Sequence, residues 1–492
     1  MEDKIVITPG TPDDNNRDYL PEAIKGSDLV VNENGNNSQV YPERLVEYKD
    51  IVVNGIEDTW YEYIPASYDG SKKVPLVVSM HGGLMTGWGQ AIYTSWTLVA
   101  DREGFIVLFP SAGLRRFWIV DCEKEKLEAA ATPREDGIYI NMPPEHPEDN
   151  HDMNLVLGLV DRLKAKYEID EGRVFIQGMS MGNMMTSQIA RYYGSVFAGK
   201  AGSGGPSSPA LLFDEQDETI NRGGPLAVWQ TRLEHDMTPP HFKGDTEYVV
   251  RRNREYWCRI NGCDSLPEIS IVGEDNFAFY TGAKADLVFR DVKNRDHGQT
   301  FDDAEVVWDY LFSGVRRTTD GSIVREQPNI SRQGDGCAVV LMEGSSKAYI
   351  NNRLVTMSGP AITRQKLKYH GLNGDSIVRG EYLCVPVSFA AEVYGGRCTF
   401  SEGGLSAELT LPGGRKLQFA RGSIGCVVDN KVQAMLCEAV FQNGELYVPI
   451  QWISQSLFNH FASSSEGVLY MTDHYAILSK NMAHLIRDEI LG

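Results

Sequence analysis

Five residues, Gly178-Met179-Ser180-Met181-Gly182, constrain this chain more than any other stretch. An apolar run that reads as a buried strand, residues 173–177, leads into them, and a run with helical character, residues 183–190, leads out. A strand that turns into a helix over so few residues leaves no room for large side chains, which accounts for glycine on both sides of the serine. The strained turn lifts the serine hydroxyl off the sheet edge. The helix that follows aims its unpaired N–H groups at the same point. Two glycines and a serine also meet by chance in many chains, so the weight of the motif depends on its partners.

The surrounding pattern supplies the scaffold that such a turn requires. Strand-like runs at residues 74–80, 105–109, 226–230 and 287–289 alternate with helix-like runs at 95–103, 152–167, 246–260 and 301–312. Strands alternating with helices imply an α/β fold with a doubly wound parallel sheet. Ahead of it, Asn54-Gly55 between residues 50–53 and 56–64 predicts a hairpin with a turn of positive φ. Residues 1–45, rich in Asn, Asp, Gly and Pro, predict an irregular arm. The catalytic scaffold is then expected over 46–316. A polar, glycine-rich linker is expected over 317–335, followed by a smaller, mainly β module over 336–485. That module contains an internal repeat. Leu383-Cys384-Val385-Pro386-Val387 matches Leu446-Tyr447-Val448-Pro449-Ile450, and each copy enters a short amphipathic run. Ile350-Asn351-Asn352-Arg353 and Val428-Asp429-Asn430-Lys431 form a second echo, both reading as turns between short strands.

A nucleophilic serine needs a base in reach, a carboxylate to orient the base, and donors for the developing oxyanion. In a parallel sheet these follow in the order Ser, Asp or Glu, His, on loops after successive strands. His297, in Asp296-His297-Gly298 between the last strand and the last helix, is the expected base. Two carboxylates follow the 226–230 strand, Glu234 and Asp236. Asp236 is the favoured orienter because its side chain is shorter and stiffer, and the turn Met237-Thr238-Pro239-Pro240 could hold it. The oxyanion donors expected are the N–H of Met181 and that of Gly83 or Leu84, in the loop His81-Gly82-Gly83-Leu84. His81 itself reads as a structural hydrogen-bonding residue. Trp88, Trp118 and Trp229 fall on or near loops expected to face Ser180 and are candidates to stack an aromatic acyl group or a sugar ring. The insertion 114–150 is a candidate lid or a solvated excursion.

Three stretches carry a family resemblance. Residues 74–83, Val-Pro-Leu-Val-Val-Ser-Met-His-Gly-Gly, are the first. Residues 100–110, Ala-Asp-Arg-Glu-Gly-Phe-Ile-Val-Leu-Phe-Pro, and 169–180, which end in Gln177-Gly178-Met179-Ser180, complete the set. Together they make residues 47–315 resemble the polyhydroxybutyrate depolymerase and feruloyl esterase family of α/β-hydrolases. The resemblance implies a serine carboxylesterase without cofactor, acting on feruloyl or acetyl esters of plant cell-wall polysaccharide. An aliphatic polyester is the alternative substrate. A binding protein that has lost activity and works through its C-terminal module is the alternative class. The chain departs from the family at Asn183, where a second glycine is usual, in the loop 230–236 before Asp236, and in lacking Trp-Pro after the histidine. Residues 336–482 resemble the stalk domain named for the N-terminal domain of copper amine oxidase. That resemblance implies a spacer or a contact with a cell surface or polysaccharide, and it implies no copper.

Charge and cysteine usage narrow the partners. The formal charge of −20 excludes the basic surface that nucleic acid or an anionic membrane needs, and no apolar run reaches the length of a membrane span. Among the eight cysteines no zinc-type pair occurs, and Cys258 with Cys263 could close a small loop. The run 145–152, with two histidines among carboxylates, reads as an acidic helix cap rather than a metal site. The stalk resemblance implies an extracellular mature chain. A start at Met1 without a secretory pattern implies the cytoplasm instead.

Overall fold

The structure is a computed structural model that describes residues 41–113, 116–133, 139–236, 244–370 and 375–492. Most of the expected N-terminal arm and the turn 237–240 lie outside the described residues. By internal contacts the chain forms two compact units. One holds the residues up to Ser265 with Ala278–Arg332, the other Leu266–Phe277 with Gln333–Gly492.

The principal sheet contains ten strands: β1 (Leu45–Ile51), β2 (Glu57–Tyr63), β3 (Val74–Met80), β4 (Ile106–Pro110), β5 (Ile169–Met179), β6 (Gly199–Ser203), β7 (Ala227–Leu233), β8 (Glu268–Val272), β9 (Asp275–Tyr280) and β10 (Leu287–Val292). Their order is β1-β2-β4-β3-β5-β6-β7-β10-β9-β8. β1 and β2 form the antiparallel hairpin expected at Asn54-Gly55, both residues taking positive φ (56° and 68°). β2 runs antiparallel to β4, and β4, β3, β5, β6, β7 and β10 are all parallel to one another. A second strand that opposes its neighbours, with β3 and β4 exchanged before a run of parallel strands, is the order of an α/β-hydrolase sheet. β3 and β4 are nearly continuous apolar runs, and β6 is fully buried, because helices cover both faces.

Among the described residues the first unit has seven α-helices: α1 (Gly87–Tyr93), α2 (Trp96–Glu103), α3 (Lys124–Ala131), α4 (His151–Lys166), α5 (Met181–Tyr193), α6 (Thr246–Asn261) and α7 (Asp303–Tyr310). α4 and α6 start at side-chain caps, Asn150 accepting from the Met153 N–H and Asp245 from the Tyr248 N–H. α6 stops at Gly262, which takes the left-handed conformation that ends helices. Residues 317–332, which read as linker, are ion-paired and hydrogen-bonded within this unit. The guanidinium of Arg317 caps the carbonyls of Phe197, Gly194 and Pro225, and Arg325 and Arg332 both pair with buried Asp286. Four arginines spaced through 316–332 are a signal that a composition-based reading passes over.

Among the described residues the second unit holds three antiparallel sheets, of five, four and five strands. The two repeat copies pair with each other: Cys384 faces Pro449, Val385 faces Val448 and Pro386 faces Tyr447. Each copy runs past its proline into a short helix, Val387–Val393 or Ile450–Phe458. The second echo is also structural, since Asn351-Asn352 and Asp429-Asn430 are matching hairpin turns with φ of 48° and 62°, and 48° and 63°. Its core is almost wholly apolar, built around Phe389, Leu409, Leu446, Trp452 and Leu469. No helix among the described residues is long and apolar enough to cross a membrane.

Candidate active site

The parallel strands deliver their loops to one edge of the sheet. Met80 of β3 is level with Gly178 of β5, Met179 with Ser203 of β6, Ser203 with Thr231 of β7, and Leu233 with Val292 of β10. Ser180 stands on this edge at φ 54° and ψ −120°, a strained conformation for a side-chain-bearing residue. The flanking glycines are obligatory. A Cβ on Gly178 would overlap the Gly182 carbonyl, and one on Gly182 would overlap the Met80 carbonyl. The turn is held by the Ser180 N–H donating to the Ser203 carbonyl at 2.8 Å.

His297 Nε2 lies 2.8 Å from Ser180 Oγ, and His297 Nδ1 lies 2.8 Å from Asp236 Oδ1. A carboxylate can only accept, so Nδ1 carries the proton and Nε2 is the lone pair facing the serine hydroxyl. Asp236 is buried while the histidine ring is about half exposed. The hydrogen bond to Asp236 raises the His297 pKa above its ordinary 6.5, outweighing the opposing effect of burial. Glu234, the other candidate orienter, is engaged elsewhere: it accepts from Lys293 Nζ at 3.1 Å and from the Asn294 N–H at 3.0 Å.

His81 is a second histidine on the same edge with a different environment. It is fully buried, its Nδ1–H donates to the Gly82 carbonyl at 2.6 Å, and its Nε2 accepts from the Ala112 N–H at 2.9 Å. Burial pushes its pKa down to about 4, so the ring is neutral. Because the Gly82 carbonyl and the Gly83 N–H belong to one planar peptide unit and point in opposite directions, holding the carbonyl aims the Gly83 N–H away from His81. Gly83 adjoins Met181, since a Cβ built on it would lie 3.1 Å from Met181 Sδ. Leu84 is corrected as an oxyanion donor: its N–H donates to the Arg116 carbonyl at 2.9 Å and is spent. Leu84 itself sits at φ 65° with its side chain exposed.

The three tryptophans expected to line the pocket are corrected as well. Trp118 is fully buried, its indole N–H donating to the His81 carbonyl at 2.7 Å and its ring packed on His81. Trp229 is fully buried within β7 and donates to Thr231 Oγ1 at 2.8 Å. Trp88 is buried in α1. All three are core, because a sheet edge surrounded by helices has more interior positions than loop positions. In the insertion, Phe117–Cys122 is also core rather than cover, with Ile119 N–H on Asp152 and Asp121 paired to Arg191. The residues of the 145–152 run bind separate partners, His151 pairing with Asp58 and Glu148 with Arg222.

Several supporting residues were not singled out in the sequence. Arg232 is buried beside the triad carboxylate, with Nη1 3.2 Å from Asp236 Oδ2 and a hydrogen bond from Nη2 to the Asp236 carbonyl. Gly204 and Gly205, both at positive φ, cradle the site: a Cβ on Gly204 would lie 3.1 Å from His297 Cε1 and 3.3 Å from Asp236 Oδ2. Asn183, where the family has glycine, donates through Nδ2 to the carbonyls of both. The histidine loop is tied down by Ser203 Oγ on the Gly298 carbonyl (2.6 Å) and by Gln177 Nε2 on Gln299 Oε1 (3.0 Å). A glutamine closing the apolar run 174–176 was the available signal. The arrangement has the parts for nucleophilic acyl transfer: a half-buried hydroxyl, a base oriented by a buried carboxylate, and backbone donors beside the hydroxyl.

Comparison with known proteins gives the same neighbourhood. No family profile matches the chain. It is 27% identical over 265 residues to a bifunctional acetylxylan esterase/xylanase of Neocallimastix patriciarum, covering 51% of this chain and 32% of that protein. It is 26% identical over 194 residues to acetylxylan esterase A of Emericella nidulans (38% and 57%). A poly(3-hydroxyalkanoate) depolymerase C of Paucimonas lemoignei is 26% identical over 236 residues (43% and 50%). The chain therefore spans about a third to just over half the length of these relatives. Among solved structures, an acetyl xylan esterase from Aspergillus awamori aligns at a TM-score of 0.37 and 18% identity, covering 54% of this chain and 98% of that one.

Proposed function

We propose that this chain is a serine carboxylesterase whose triad is Ser180, His297 and Asp236. The observation that carries the reading is the unbroken relay of two 2.8 Å contacts, Asp236 to His297 to Ser180, set on a strained strand-to-helix turn. Ser180 Oγ attacks the ester carbonyl carbon as His297 Nε2 takes its proton. The N–H groups of Met181 and Gly83 hold the oxyanion. Collapse of the tetrahedral adduct breaks the bond to the alcohol, which leaves with the proton from His297. Water, deprotonated by the same ring, then attacks the acyl-serine and releases the acid. Asp236 keeps Nδ1 protonated throughout and stabilises the imidazolium. No step calls for a cofactor.

Acetyl groups on plant polysaccharide are the substrate class we favour. The relatives named acetylxylan esterases support it. Aliphatic polyester is the second reading, carried by the depolymerase relative. The acidic surface suits a neutral glycan, and the C-terminal unit would act outside the cell as a stalk or polysaccharide contact.

The test is hydrolysis of p-nitrophenyl acetate by wild type and Ser180→Ala. Loss of a nucleophile in a Ser-His-Asp site costs on the order of 10⁶ in kcat, and equal rates in the two proteins would remove the serine mechanism. Acetate release from acetylxylan, set beside 3-hydroxybutyrate release from polymer, then chooses between substrates.

A further inference from the structure

The mechanism leaves a buried lysine unused. Lys200, on β6, is 2% exposed, and its Nζ donates to Ser187 Oγ at 2.8 Å. Among the described residues it has no ion-pair partner, and its other neighbour is the ring of Trp257, 5.6 Å from Nζ. Lys200 faces a cavity of about 40 Å³ bounded by α5, α6, β6, β7 and β10. Asn183, Ser187, Gln230, Arg232 and Asn253 share that wall, and no carboxylate lies among the lining residues. Arg232 is 3% exposed, and its Nε is buried without a hydrogen-bond partner.

We propose that this cavity is a binding site for one small monovalent anion of halide size, held between the Lys200 ammonium and the Arg232 guanidinium. The argument is electrostatic. A buried ammonium with no counter-charge is costly, and a fold that keeps one either supplies an anion or deprotonates it. Burial, with Arg191 nearby, pushes the Lys200 pKa down to about 7, so an anion is what would hold it charged. Arg232 does not solve the problem, because it is itself a cation with a donor to spare. Asn183 and Asn253 already spend their amide N–H groups on backbone carbonyls, so Gln230 is the amide on this wall that can donate to an occupant. Size limits the occupant: a water needs about 10–15 Å³ measured this way, so the space takes an ion with a water or two and excludes a sugar or an acyl chain. The same guanidinium lies against Asp236, so an occupant is coupled to the charge environment of the triad. The site is independent of the esterase reading, and its test needs no turnover.

The experiment is thermal unfolding of the full chain at pH 6 in chloride-free buffer. Sodium bromide or chloride is titrated against sodium gluconate, whose anion is too large to enter, at constant ionic strength. Wild type and Ser180→Ala are both expected to gain a saturable rise in Tm on the order of 5 °C at halide well above Kd. Lys200→Met, which keeps the length of the side chain without its charge, is expected to lose the rise. No halide-specific rise in wild type, or the same rise in Lys200→Met, overturns the site. Should Lys200→Met fail to fold, crystals of wild type grown in bromide decide. An anomalous peak in the cavity upholds the assignment, and its absence means that water alone fills the space and overturns it.

Discussion

His81 and His297 stand on the same edge of the same sheet, one after β3 and the other after β10, and their surroundings make them opposites. His81 is fully buried, its two nitrogens committed to backbone groups, and its pKa falls to about 4. His297 is half exposed, faces a buried carboxylate and an alcohol, and its pKa rises. The difference teaches that burial alone makes a histidine a neutral scaffold piece, whereas a buried acid behind an accessible ring makes it a base. Residue type and position in the fold are the same in both cases. The second partner of each ring decides its chemistry.

The contrast breaks hardest at Asp236. Asp236→Asn removes the group that fixes the Nδ1–H tautomer, and kcat/KM on p-nitrophenyl acetate is expected to fall by about 10⁴. The pH profile carries the sign. His297 must be neutral to accept the serine proton, so wild-type activity is lost as pH falls through a pKa above 6.5. Without the carboxylate that raises it, the acidic limb of the residual activity moves to lower pH. A limb that stays in place in Asp236→Asn would mean that something other than Asp236 sets the base.

His81→Ala probes the other histidine, and a smaller loss is expected. Its role is to hold the Gly82 carbonyl so that the Gly83 N–H meets the oxyanion, and a lost oxyanion donor costs about 10² to 10³. The fall should appear in kcat with KM little changed. The acidic limb should not move, because a ring with a pKa near 4 does not titrate where activity is lost. A shifted limb in His81→Ala would make His81 part of the proton chemistry and end the contrast.

How much of this was legible beforehand follows from what each residue answers to. The elbow, the alternation of strands and helices and the repeat were readable because local sterics and pattern dictate them: glycine at 178 and 182, apolar runs at strand length, asparagine at positive φ. The tryptophans misled because an aromatic residue near a loop in sequence is buried or exposed by packing that composition does not encode. Leu84 misled for a similar reason, its N–H being taken by Arg116, 32 residues away. Gly204-Gly205 and Asn183 were hidden because they act through contacts between segments distant in sequence, although Asn183 was visible as a departure from the family pattern, and Arg232 because its pairing with Asp236 depends on how the loop after β7 turns back. Residues 317–335 were polar enough to read as linker, and over 317–332 the arginine pairs, a short hairpin and the bonds of Asn329 and Ile330 to Asp309 tie the chain in.

The smallest effect expected is the sharpest test of which carboxylate serves His297. Glu234 and Asp236 are two residues apart on the same loop, carry the same charge and are both largely buried. Geometry separates them: Asp236 Oδ1 is 2.8 Å from His297 Nδ1, while Glu234 holds Lys293 and the Asn294 N–H. Glu234→Gln keeps an acceptor for that N–H and loses charge pairing with Lys293 at 3.1 Å and with His235 at 3.8 Å, both at least partly exposed, so these pairs contribute little. Its kcat/KM is expected within about threefold of wild type, at most about 0.65 kcal/mol in barrier terms, with the acidic limb unmoved. If Glu234→Gln instead abolishes turnover while Asp236→Asn is mild, the loop registers differently in solution, and the carboxylate behind His297 is Glu234.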